Sequence, residues 1–154
     1  MYIVLAAISY LGFGCTKNDT SFKVFYYQDN KTYNVNLDKK SMEEVYNLFK
    51  ELAYNTDDML KLIVTSSRIE ELKKKESLIE VVFNDFIYFD SKVFGKIKAK
   101  KVLIPLSGDF IGSGTSSMIT IFYAENNYSS GPLRNSKGLP LVEKIKNIIK
   151  SKVQ

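Results

Sequence analysis

Apolar positions along this 154-residue chain recur with two periods, and each predicts its own kind of element. Phe22, Val24, Tyr26 and then Tyr33, Val35, Leu37 alternate with other residues on either side of Gln28-Asp29-Asn30-Lys31. Alternation about a turn sequence predicts a β-hairpin from Phe22–Tyr27 and Thr32–Leu37. Met42, Val45, Leu48, Phe49 and Leu52 then fall at helical spacing behind Ser41-Met-Glu-Glu44, which reads as a capping box. The expectation is a helix over 42–54. Met59–Val64 is short and apolar, either a strand or the end of a helix, and is read as a strand. Ser67-Arg-Ile-Glu70 opens a second, short helix whose Lys73, Lys74 and Lys75 suit the negative end of a helix dipole.

Leu78–Phe89, LIEVVFNDFIYF, is dense in strand formers. It is either one long strand with an irregularity at Asn84-Asp85 or two strands joined there. Ile97 and Ala99 face away from Lys96, Lys98 and Lys100, as on a half-exposed strand. Two further runs, Val102–Leu106 and Met118–Ala124, flank a Gly/Ser/Thr-rich connection and form a central hairpin, with Pro105 toward an edge or a bulge. The second arm is apolar on both alternating sets except at Thr120. Such a strand lies inside a sheet covered on both faces. Leu139, Leu141, Val142, Ile145, Ile148 and Ile149 mark a last helix with Pro140 in its first turn. The fold class expected is α+β, a mixed or antiparallel sheet of about five to seven strands with two or three helices packed on it.

Residues 1–14, MYIVLAAISYLGFG, carry no charge, end in small residues and precede Cys15, the one cysteine of the chain. Fourteen residues are too few to span a bilayer, which takes about 20, but suit the apolar core of a signal peptide. Leu11-Gly12-Phe13-Gly14-Cys15, followed by the polar Thr16–Ser21, resembles the lipobox of a bacterial lipoprotein precursor. Gly14 and Cys15 match that box, whereas Leu11 is one position early and Phe13 stands where a small residue is usual. The resemblance implies cleavage before Cys15 and acylation of its thiol. The chain then divides into a signal peptide (1–14), a lipid-anchored polar tether (15–21) and one globular domain (22–154). The alternative is a buried first strand over 2–13 with Cys15 a free thiol.

Composition narrows the chemistry. With no His, His-activated nucleophiles and His-ligated zinc are excluded. The net charge of +5 invites nucleic acid, yet only Arg68 and Arg134 supply the guanidinium that phosphate and base recognition favour. No nucleic acid is expected as a partner. Gly108–Thr115 resembles a phosphate-binding loop only in its glycines, because it has no Lys and a strand follows it. Asp85, Asp90 and Asp109 could meet at one end of the sheet, and a Ser–Lys pair is conceivable at Ser107, Ser113 or Ser116.

The polar loops 107–117 and 125–138 remain, and the second carries Tyr128, Arg134 and Asn135, residue types that anchor interfaces. The expected function is that of a lipid-anchored protein of the bacterial cell envelope, bound to the membrane through Cys15 and to another protein through those three residues. Its role is non-catalytic, in envelope assembly or as an inhibitor. No cofactor and no metal are required. The alternative is a small envelope hydrolase using carboxylates or a Ser–Lys pair.

Overall fold

A computed structural model describes residues 21–112, 116–128 and 131–153. The expected signal peptide, Cys15 and all but the last residue of the tether lie outside them. In chain order the elements are β1 (Phe22–Gln28), β2 (Lys31–Val35), α1 (Lys39–Tyr54), β3 (Asp58–Met59), α2 (Ser66–Lys75), β4 (Leu78–Ser91), β5 (Gly95–Pro105), β6 (Ile119–Ala124), β7 (Leu133–Asn135) and α3 (Leu139–Lys150). The strands form one seven-stranded sheet in the order β2-β1-β4-β5-β6-β7-β3. Every pairing is antiparallel. The fold is α+β, an antiparallel sheet with three helices.

Strand alternation sends two sets of side chains to two cores. Val24 and Tyr26 of β1, Ile79, Val81 and Phe83 of β4, Val102 and Ile104 of β5, and Ile119 and Ile121 of β6 meet α1 and α3, whose Val45, Phe49, Leu52, Val142, Ile145 and Ile149 fill the larger core. On the other face Leu78, Leu103 and Phe122 meet Ile69 and Leu72 of α2, together with Val64, Phe110 and Tyr128. The apolar sets of β6 are thus buried on both sides, as expected, and Thr120 between them is buried as well.

Both early helices begin before their expected starts. Asp38, not Ser41, caps α1 and accepts from the Ser41 N–H at 2.9 Å. Thr65 caps α2 by accepting from the Arg68 N–H. Asp38, three residues before Ser41, and Thr65, two before Ser67, each cap the unpaired amides of an earlier first turn. The stretch expected as a strand over 59–64 pairs only at Asp58–Met59. Beyond Leu60, whose N–H reaches the Pro132 carbonyl, no strand pairing continues among the described residues. Leu78–Ser91 is one strand, with the register shifting between Val82 and Ile87. The irregularity at Asn84-Asp85 is therefore a bulge, which bends a strand and raises its twist.

The β4–β5 turn, Lys92-Val93-Phe94, closes on Gly95 at φ +70°. Three-residue hairpin loops require a left-handed residue at that position. The β1–β2 turn is a two-residue connection with Asp29 at φ 52° and Asn30 at φ 57°, the left-handed pair that a type I′ turn demands. Asn30→Gly removes the side-chain penalty there, and it should raise the urea midpoint by up to about 1 kcal/mol of stability with an unchanged m-value. A lowered midpoint would mean that the Asn30 side chain itself stabilises the turn.

Candidate functional site

One carboxylate stands in the smaller core. Glu80 is on the α2 face of β4, opposite Phe25 of β1 and Leu103 of β5, and is 5% exposed. Leaving an ionised carboxylate there without partners would be strongly unfavourable. Three donors from three elements meet it. The Tyr27 hydroxyl donates to Oε2 at 2.7 Å, the Lys73 ammonium lies 3.0 Å from the same oxygen, and the Tyr128 hydroxyl donates to Oε1 at 3.0 Å. Lys73 also sits 5.2 Å above the Tyr27 ring, where the face of the ring attracts a cation. Burial, followed by the neighbouring Glu80 carboxylate, pushes both phenols well above their usual range. They remain protonated donors. The cluster fastens α2, through Lys73, and the chain after β6, through Tyr128, onto the sheet.

That fastened chain forms one wall of a cleft. β6 pairs with β5 only over Lys101–Leu103. The β5 residues before Lys101 continue beside β4 as a two-stranded arm, while the chain after Ala124 turns away toward β7. Between arm and loop lies an open cleft of about 600 Å³. Met59, Phe94, Ile97 and Leu133 give it apolar lining, and Asn126 and Asn127 line it as well. Lys98 and Glu125, 2.6 Å apart, also line it and neutralise each other. The Glu125 hydrogen bond holds the Lys98 ammonium above its usual range, so it stays charged.

Tyr123 lines the same cleft. Its ring packs on Phe89 with centroids 5.9 Å apart, and its buried hydroxyl has no hydrogen-bond partner among the described residues. Burial pushes this phenol far up, leaving a protonated donor. An orphaned hydroxyl of this kind costs roughly 1–3 kcal/mol. Chemically, the cleft offers apolar surface beside polar residues, while the Tyr123 hydroxyl lies buried rather than presented to it.

Of the residues expected at an interface, Tyr128 and Asn135 are turned inward. Tyr128 serves Glu80, and Asn135 donates to the Leu52 carbonyl at 3.1 Å, tying β7 to α1. Arg134 is the partly exposed one, 3.4 Å from Asp58 across the β3–β7 pair. The structure does not bring the three together as one surface. Asp90 lies near the tip of the β4–β5 arm, whereas Asp109 follows the far end of β5, beside Arg68 at 4.0 Å; the two belong to opposite ends of the hairpin. No three metal-ligating side chains cluster among the described residues. The Ser107 and Ser116 hydroxyls accept backbone N–H groups of Ser77 and Met118, and Ser113 lies outside the described residues. Cys15 does too, and no helix among them is long and apolar enough to cross a membrane.

A second carboxylate is held less well. Glu76 Oε2 is buried without a hydrogen-bond partner among the described residues, against Gly108, where φ of +81° and the Glu76 carboxyl leave no room for a Cβ. Burial, then the charge of Asp109, raises the Glu76 pKa.

Two variants test these carboxylates. Lys73→Met strips the cation from buried Glu80 and should cost about 3 kcal/mol in denaturant unfolding, with Glu80→Gln in the same chain recovering part of it. An unchanged midpoint for Lys73→Met would show that the phenols alone satisfy Glu80. For Glu76, the raised folded-state pKa means that ionisation opposes folding: the cost is absent below the unfolded pKa and complete above the folded one. Glu76→Gln should therefore stabilise the protein at neutral pH, and the gain should vanish in acid. A gain independent of pH would point to packing instead.

No protein-family model matches the chain, and no curated protein and no solved structure matches it either.

Proposed function

We propose that this chain is a lipid-anchored binding domain of the bacterial cell envelope. It is held to the membrane by acylated Cys15 and engages another protein without catalysing a reaction. The observation that carries the binding role is the cleft between the β4–β5 arm and the β6–β7 connection. Exposed apolar side chains continue beyond it. Met59 on its wall is 45% exposed, Val93 at the arm tip 60%, and Leu62 and Ile63 follow β3. Apolar surface gathered around a concavity favours a partner larger than the concavity itself.

Binding is favoured over hydrolysis by how the ionisable groups are engaged. Lys98 and Glu125 in the cleft are paired with each other, and Glu80 is occupied by three donors. The anchor is supported by the sequence: an uncharged apolar run, one Cys and a polar tether suit an acylated N-terminus.

Lipid labelling and membrane fractionation in a bacterial host, with a photo-crosslinking residue at Val93 or at Glu51 on the exposed side of α1, test both halves of the proposal. Wild type should label and pellet while Cys15→Ser does neither, and position 93 should give a discrete protein adduct that position 51 does not. If wild type stays unlabelled and soluble, the envelope reading fails. Equal adduct patterns at the two positions remove the binding reading.

A further inference from the structure

We infer that the side of the sheet carrying α2 faces a membrane, with Phe86 and Tyr88 entering the headgroup layer of an anionic bilayer while Lys23, Lys100 and Lys101 around them meet its phosphates. This rests on the reading of Cys15 as acylated and specifies how the anchored domain lies against its membrane.

Strand alternation defines the surface. Ile87 and Phe89 pack on the larger core, so Phe86 and Tyr88 face the opposite side, where they are 44% and 59% exposed. Lys23 and Lys101 are in register with Val82 from either flank, two residues along β4 from Glu80 beneath α2. Lys100 Nζ lies 5.7 Å from the Phe86 ring centroid. Aromatic side chains left bare among lysines mark a surface made to be covered.

Its charge says by what. Lys98 is paired with Glu125, Asp90 stands in register with Lys96, and Asp85 is exposed in the bulge. Lys23, Lys100 and Lys101 have no ion-pair partner among the described residues. A lysine ammonium is a point charge on a flexible apolar stem, which suits mobile lipid phosphates above an apolar layer. Tyrosine rings favour the same depth. A nucleic acid would find neither arginine here, because Arg68 pairs with Glu71 on α2 and Arg134 with Asp58 beside β7.

The tether ends at this surface. Ser21, its last residue, accepts the Asn84 N–H on its carbonyl at 3.2 Å and the Asn84 side-chain amide on its hydroxyl at 2.5 Å. Asn84 is two residues from Phe86. Six residue steps of at most about 3.6 Å keep Cys15 within about 22 Å of Ser21, so a lipid on Cys15 brings the bilayer to the part of the molecule where the bare aromatics stand.

The test uses the full chain with Cys15→Ser, which removes the one native cysteine, and an environment-sensitive fluorophore attached through Tyr88→Cys or, on the opposite side, Asn47→Cys on α1. Each is titrated with phosphatidylcholine vesicles, with the same vesicles containing phosphatidylglycerol, and with a single-stranded oligothymidylate. A saturable blue shift is expected at position 88 with the anionic vesicles and not at position 47, and salt should weaken it. Lys23→Ala and Lys101→Ala should each weaken binding about fivefold, with an unchanged denaturation midpoint certifying the fold. The apolar residues 1–14 are present in every variant, and association through them alone would leave position 88 no bluer than position 47. That result overturns the inference. So does a silent position 88, an equal shift with neutral vesicles, or a response to the oligonucleotide as strong as to the anionic vesicles. Lipid labelling of Cys15 in the host reads the anchor separately. Labelled wild type beside a silent position 88 strikes the membrane-facing surface and keeps the anchored-domain reading, whereas a blue shift at 88 beside unlabelled wild type strikes the anchor and keeps the surface.

Discussion

The arrangement of the smaller core depends on a charge that water cannot reach. Glu80 occupies a sheet position where Leu or Val would bury more cheaply, and moving a carboxylate into such surroundings costs several kcal/mol before any partner is counted. The position is tenable because Tyr27, Lys73 and Tyr128 converge on its two oxygens. These partners come from β1, α2 and the chain after β6. An apolar residue at 80 would accept α2 in many rotational settings. A carboxylate with directional donors accepts far fewer, and it also fixes where the chain after β6 crosses the sheet. The walls of the cleft follow, because Asn126 and Asn127 immediately precede Tyr128.

A cleft exists at all because the strands have unequal reach. β4 and β5 run for 14 and 11 residues, whereas β6 has 6 and β7 has 3. The excess length becomes an arm whose inner face, with Ile87 and Phe89, still packs on the larger core, while Phe86 and Tyr88 are exposed on its outer face. The bulge between Val82 and Ile87 separates the half of β4 that serves the sheet from the half that serves the arm. Lysines of β5 partly shield the outer aromatics: Lys98 Nζ lies 4.3 Å from the Phe86 ring centroid and Lys100 Nζ 5.7 Å.

Elements whose signal lies within a dozen residues are plain in the sequence. The first hairpin, the central hairpin, the doubly buried β6 and α3 with its Pro140 follow from local periodicity and turn chemistry. The helix starts are displaced because two capping residues compete within one turn and periodicity does not rank them. β3 shrinks to two residues because its only partner, β7, lies more than 70 positions away, as the Asp58–Arg134 separation of 76 shows. The roles of Tyr128 and Asn135 are equally remote, since polar loop residues look alike whether they face water or a buried acceptor. Glu80 did leave a trace. It is a lone carboxylate in Leu78–Phe83, on an alternating position shared with Leu78 and Val82, and a charge amid strand formers implies donors elsewhere. The cleft left none, being composed by β3, the β4–β5 arm and the β6–β7 connection together.

The order of strands also bears on how the chain assembles as it is synthesised. β4 to β7 are neighbours in both sequence and space, so that half of the sheet can zip together from local contacts. β1 is different. Its second neighbour is β4, pairing Tyr27 with Leu78 and Phe22 with Phe83, and all of α1, β3 and α2 are made in between. A nascent hairpin of β1 and β2 must therefore wait with one edge of β1 and its apolar side chains uncovered until β4 emerges, and the Tyr27 phenol meets its carboxylate only then. The polar turn at Asp29-Asn30 keeps that early hairpin in a single register during the wait, so β4 arrives at an edge already in phase with it.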